Sequence, residues 1–262
     1  MSYREHAPPV ELAPWLECTW ERRGDGSPVR VLPDGCIDVI WSEHVGTMLV
    51  GPNTTAFLAD VEPSRRMIGA RFRPGAAPPL LGIAAEEFRD VRADARDVWR
   101  EEGVGLAETL EDCVAPLGAL LAWITARQTH AQPPDPLVRA TVTRLQDEAW
   151  GEAPVPVGRL ADHLGVSERT LRRRVVGAVG YGPKRLARVF RLSHALGTLR
   201  AGDELARVAY EAGYVDQAHL ANECRALAGA SATVILAEFS ARDRFLQDGG
   251  EAGRHDGRHE RT

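Results

Sequence analysis

The sequence predicts an α+β chain in two parts. The first is an N-terminal β-barrel domain with flanking helices. The second is an all-α C-terminal domain, in which two helix-turn-helix units are joined by a long helix. Three observations carry this. Short β-prone runs separated by Pro/Gly turns fill the chain to about Val91. Apolar spacing becomes helical from about Ala76 and again from Leu137. Residues 157–191, VGRLADHLGVSERTLRRRVVGAVGYGPKRLARVFR, spell a helix, a glycine turn, a second helix and the start of a third.

In the first half, residues 15–22 form a β-prone run bounded by Pro14 and by Gly24-Asp25-Gly26. Residues 29–32 end at Pro33-Asp34-Gly35, a turn signal, and 36–41 (CIDVIW) follow as a strong strand. Residues 47–50 and 66–72 are further strands, stopped by Gly51-Pro52-Asn53 and Arg73-Pro74-Gly75. Many short strands of this kind suggest a small barrel or sandwich. Residues 77–83 and 86–91 read as short helical turns. Residues 105–126 read as one amphipathic helix despite Pro116. Gln132-Pro133-Pro134-Asp135-Pro136 is an extended linker between a domain at 1–131 and one at 137–246, and 247–262 lacks an apolar face and reads as disordered.

The second half opens with a helix over 137–150, with Val138, Val142 and Leu145 inward. In the first helix-turn-helix unit Leu160, Ala161 and Leu164 face inward, Gly165 suits the positive φ of a helix end, and Ser167 suits an N-cap. Leu171 and Val175 share the buried face of the next helix, which leaves Arg169, Arg172 and Arg173 outside. Residues 183–199 form the linking helix, with Pro183 in its first turn. The second unit repeats the grammar: Leu205, Val208, Ala209 and Ala212, then Gly213, a candidate cap at Asp216, and Leu220, Cys224 and Leu227 inward. Gln217, Ala218, His219 and Asn222 stay outside. Gln and Asn suit adenine edges as Arg suits guanine.

Charge agrees once the chain is divided. The total is −5, but residues 1–136 hold 13 basic and 21 acidic side chains, and residues 137–248 hold 16 and 13. From Arg169 to Arg191 there are eight basic residues and no acid, a footprint for phosphates rather than a merely solvated face, given the turn grammar around it. No apolar run is long enough for a bilayer, and MSYREHAPPVELAPW has no signal-peptide pattern. Cys18, Cys36, Cys113 and Cys224 are scattered without CxxC spacing, which suits a reducing cytoplasm.

LADHLGVSERTLRRRV, the linking helix and VAYEAGYVDQAHLANECRALAGAS resemble the AraC/XylS family of transcriptional regulators over about residues 155–239. LPDGCIDVIW and GARFRPGA resemble the cupin-like N-terminal domain of one branch of that family. The resemblance implies base reading by Arg169, Arg172 and Arg173 in the first unit and by Gln217, Ala218, His219 and Asn222 in the second. Phosphate contacts are expected from Lys184, Arg188 and Arg225. Its implied partners are double-stranded DNA, RNA polymerase, an unidentified small-molecule effector and a second subunit paired through the helices after the barrel. The chain departs from the pattern at Cys224 and Ala232, where the family usually has an aromatic and proline, which thins the second core, and at Val175 in the first unit, where it usually has phenylalanine.

Other groups support less specific chemistry. Trp15, Trp20 and Trp41 either fill the N-terminal core or line a pocket for an apolar or planar effector. Cys36 is the acceptor thiol of an alternative, alkylation- or redox-responsive regulator, although the three N-terminal cysteines are too dispersed for the zinc cluster of such relatives. His6 and His44 lack His-x-His spacing, and His255 and His259 lie in the tail, so neither metal nor cofactor is expected. Asp34 and Asp38 have no nucleophile or base nearby, and no enzyme activity is expected.

Overall fold

A computed structural model describes residues 2–149 and 156–240. The N-terminal strands are β1 (Ser2–His6), β2 (Leu16–Arg23), β3 (Val29–Val31), β4 (Ile37–Ser42), β5 (Gly46–Val50), β6 (Phe57–Ala59), β7 (Arg66–Phe72) and β8 (Arg92–Asp94). Six of them make one antiparallel sheet in the order β1-β2-β7-β4-β5-β8, and β3 pairs with β6 apart from it. The sheet does not close into the expected barrel: β1 and β8 are its two open edges. Helices close over one face instead. Residues 77–81 form α1 (Ala77–Leu81), and the expected single helix at 105–126 is two, α2 (Ala95–Asp112) and α3 (Pro116–Gln128). The break at 113–115 falls where Pro116 lacks an N–H for a continuing ladder, and Pro116 starts the new helix instead.

Strand alternation sorts the sheet into two chemistries. Val39 and Ala70 face each other, as do Trp41 and Ile68, and with Leu49 and Phe72 they pack beneath Leu106, Leu110, Leu120 and Ile124 of α2 and α3. The apolar stripes of α2 and α3 are thereby used by their own sheet. On the opposite face Trp20 lies against Gly69, where a Cβ would sit 2.3 Å from the indole. Next to it Arg71 forms ion pairs with Asp38 at 3.3 Å and Asp34 at 3.6 Å.

The C-terminal helices are α4 (Pro136–Glu148), α5 (Val157–His163), α6 (Glu168–Val179), α7 (Pro183–Arg200), α8 (Leu205–Glu211) and α9 (Gln217–Glu223), followed by a π-helical turn at Cys224–Ala228 and a helix at 232–240. Gly165 and Gly213 take φ of 68° and 69°, so each unit turns on a left-handed residue as the sequence expects. The 18-residue α7 is about 27 Å long at 1.5 Å per residue. Its first half, through Leu186, Val189 and Phe190, completes the core of α4–α6. Its second half, through Leu192, Ala195, Leu196 and Leu199, completes the core of α8 and α9. One rod thus belongs to both units. Trp150 and the tail residues 247–262 lie outside the described residues.

The two halves touch at both helix-turn-helix units. Beside the first, Arg89 donates to the Gly180 carbonyl at 3.3 Å and Arg185 donates to the Thr54 carbonyl at 2.8 Å. Beside the second, the Ala56 N–H donates to the Leu227 carbonyl at 2.7 Å. Arg30 there grips Glu238 at 3.0 Å and the Ala228 carbonyl at 3.0 Å.

Candidate nucleic-acid interface

α6 is oriented by both its start and its buried stripe. The Ser167 hydroxyl accepts from the Thr170 N–H at 3.2 Å, and Leu171, Val175 and Val179 are buried at helical spacing. That geometry leaves Arg169, Arg172 and Arg173 exposed. In α9, Asp216 accepts from the His219 N–H at 2.7 Å while Leu220 is buried, so Gln217, Ala218, His219 and Asn222 face outward as the spacing predicts.

Between the two recognition helices, along α7, runs an open cleft of about 1440 Å³. Arg169, Arg172 and Arg173 of α6 line it, with Lys184, Arg188 and Arg191 of α7 and His219 of α9. Gln217, Ala218, Asn222 and Arg225 are exposed on the second unit but do not line this cleft. Acidic groups also reach it: Glu168, Glu223 and, from the N-terminal half, Glu86.

The basic stripe divides by task. Arg174 makes a fork with Asp135 at 2.6 and 2.7 Å, and Asp135 also caps α4 by accepting from the Leu137 N–H at 2.9 Å. Arg185 holds Thr54, as described above. The Arg191 guanidinium lies 5.6 Å from the centre of the Tyr214 ring. Arg188 forks onto Glu223 with distances of 2.7 and 3.0 Å, and this hydrogen bonding raises its pKa further. Among the described residues, no ion pair or hydrogen bond of the Arg169, Arg172, Arg173 or Lys184 side chain is made within the protein. Those four are the cleft cations whose charged groups are left without a partner among the described residues, while Arg185 and Arg191 meet a backbone carbonyl and a ring rather than an acid.

Two side chains of α9 arrive with their polar atoms partly committed. His219 Nδ1 accepts from the Val215 N–H at 3.3 Å and its ring stands edge-on to Tyr214 at 5.2 Å. The neutral tautomer assigned by that bond carries its proton on Nε2, a donor suited to guanine N7/O6 or thymine O4. Asn222 Oδ1 accepts from Arg225 at 2.7 Å, so its amide NH₂ is the part left for a base.

The N-terminal candidates do not assemble. Trp15 and Trp41 lie in the core beneath the helices, while Trp20 is on the other face of the sheet and donates to Asp38 at 2.9 Å. None of the three lines the basic cleft or the smaller one beside α5. Cys36 is 7% exposed, and burial, then the adjacent Asp34 carboxylate, push its thiol well above the usual range. An acceptor thiol needs the opposite. In the folded chain Cys36 is therefore expected to react with iodoacetamide more than about tenfold slower than the half-buried Cys113, a ratio that peptide mass spectrometry reads directly. Equal labelling would show that the strand opens. Among the described residues no group of three His, Cys, Asp or Glu side chains is placed to hold a metal, and no helix is long and apolar enough to cross a membrane.

Sequence spacing missed Glu223, Arg30 and Glu238. A signal for Glu223 was present: it falls three residues after Leu220, on the buried stripe, where an acid needs a cationic partner. Arg30 and Glu238 are 208 residues apart, and no local pattern joins them.

With two capped helix-turn-helix units on one rod and a cationic cleft between them, the C-terminal half has the architecture of a DNA-binding module. Residues 160–238 match the model of a helix-turn-helix domain family, and residues 4–94 match a domain of unknown function, DUF6597. The C-terminal half therefore carries a helix-turn-helix DNA-binding domain of the AraC type. Among solved structures, the C-terminal domain of AraT, a response regulator from Geobacillus stearothermophilus, is similar at 20% identity over 42% of this chain and 86% of that one, with a TM-score of 0.35. ToxT from Vibrio cholerae O395 is similar at 8% identity over 90% of this chain and 98% of that one, with a TM-score of 0.47. Wild-type ToxT of strain SCE256 bound to unsaturated fatty acid is similar at 7% identity over 83% and 93%, with a TM-score of 0.43. No curated protein matches the chain.

Proposed function

We propose that the chain reads a two-part duplex site from a single subunit, α6 in one major groove and α9 in the next, under the control of a small molecule bound by the N-terminal domain. The observation that carries the first part is the cleft itself. The uncompensated cations of α6 and Lys184 of α7 share one concave surface with His219 of α9. Arg169, Arg172 and Arg173 supply donors for guanine edges, His219 a single donor, and Gln217 and Asn222 amide contacts, with Ala218 against a thymine methyl. Lys184 and Arg225 take phosphates.

Support for control by the N-terminal half comes from its paired contacts. Arg89 and Thr54 meet the first unit, and Arg30 and Ala56 meet the second. A ligand acts on DNA binding only through different affinities for two arrangements of these parts. The effector is identified as a compound that binds the N-terminal half and changes affinity for the selected duplex.

Selection of binding sites from a random duplex library, using the full chain, tests the proposal. Two enriched blocks about 10 base pairs apart are expected. One block, or none, contradicts it. On the selected duplex Lys184→Ala is expected to weaken all sequences alike and to lower the slope of log K against log salt by about 1, as loss of one phosphate contact does. An unchanged slope removes Lys184 from the interface.

A further inference from the structure

We infer that Arg188 is a positioning residue for the second reader. Its fork onto Glu223 sets the angle of α9 on the rod α7, and this use of Arg188 is incompatible with a phosphate contact. The inference rests on the reading of the chain as a two-block DNA binder.

α9 has only seven residues, too few to hold an orientation by its own ladder. Three of its base-reading side chains, Gln217, Ala218 and His219, sit in the first turn and Asn222 in the second, next to Glu223, so the far end must be fixed for all four to point reproducibly. That far end runs into the π-helical turn at Cys224–Ala228, where the regular i→i−4 ladder is lost. Glu223 is the last residue of α9 and is 9% exposed, on the stripe with Leu220 and Leu227. Arg188 meets both of its oxygens, Nε to Oε1 at 2.7 Å and a terminal nitrogen to Oε2 at 3.0 Å. A planar fork fixes direction as well as distance.

One helical turn along α7 from Arg188, Arg191 stacks on Tyr214, which in turn packs against His219. The rod therefore holds the second unit at both ends of α9. Moving Arg188 to a phosphate would leave Glu223 buried without its cation, which is strongly unfavourable. With Arg169, Arg172, Arg173 and Lys184 left without partners among the described residues in the same cleft, DNA has no need of this one.

The test repeats the binding-site selection with Arg188→Ala, Arg188→Lys, Glu223→Ala and the charge swap Arg188→Glu/Glu223→Arg. Arg188→Lys keeps a positive charge for a phosphate but loses the fork. The two alanine variants and the lysine variant are each expected to keep the first block and lose base preference in the second. Affinity for the wild-type duplex is expected to fall about tenfold, with the salt slope unchanged. The swap is expected to restore part of the second block.

Both blocks surviving in Glu223→Ala would overturn the inference. So would a salt slope lowered by about 1 in Arg188→Ala with both blocks kept. If Glu223→Ala does not fold by far-UV circular dichroism, Arg188→Lys decides alone: an intact two-block motif overturns positioning, and a lost second block supports it. A wild-type chain that enriches no sequence overturns the regulator reading as well, whereas a two-block motif indifferent to Glu223 overturns this inference alone.

Discussion

Leu171→Ala is expected to lower the unfolding free energy of the chain by about 2–5 kcal/mol, the range for deleting a fully buried leucine. Leu171 is 0% exposed and lies in the core shared by α4, α5, α6 and the first half of α7. Its removal leaves a cavity bounded by four helices whose caps and turns constrain their collapse, and cost rises with the volume left unfilled. Because α7 also closes the second core, the loss is expected to loosen both readers, so specific DNA binding falls with stability. Urea unfolding followed by far-UV circular dichroism reads the first effect as a lower midpoint at constant slope. A loss below about 1 kcal/mol would mean that the α6 stripe is not seated as described.

Arg172→Ala, at the neighbouring position, is expected to do the reverse. Its side chain is exposed in the cleft and makes no hydrogen bond or ion pair within the protein among the described residues, so stability is expected to change by less than about 0.5 kcal/mol. Affinity for the selected duplex is expected to fall by about 1–3 kcal/mol, with base preference relaxed at one position of the first block. Titration of the variant against duplexes changed one base pair at a time checks both statements. If all positions keep their preference, Arg172 does not meet a base edge. Adjacent residues with opposite profiles are what a helix buried on one side and read on the other requires.

The C-terminal half was legible because its signals are local. Gly165 and Gly213, Ser167 and Asp216, and the Leu171/Val175 and Leu220/Cys224 spacings each fix a turn, a cap or a face within a few residues. The linking helix was expected at 183–199 and runs over Pro183–Arg200. Strands at 66–72 and 36–41 were also close, because alternating β-prone residues bounded by Pro/Gly turns mark a strand by themselves.

Pairing over distance was not legible. β1, β6 and β8 are short or polar, and partners supply what their own residues lack. Whether a sheet closes depends on what covers it, and here three helices cover the inner face of an open one. Position alone cannot tell which arginines of a basic stripe are exposed to a ligand. Arg174 and Arg188 look like Arg172 and Arg173 in the sequence, yet each is spent on an acid, one in the linker and one on α9.

Dimethyl sulfate interference on the selected duplex, bound by the full chain, probes the two-reader arrangement most directly. Methylation at guanine N7 reports the major groove. Two clusters of interfering guanines on one face of the duplex, about one helical turn apart, are expected. A single cluster, or interference confined to adenine N3 in the minor groove, would contradict it.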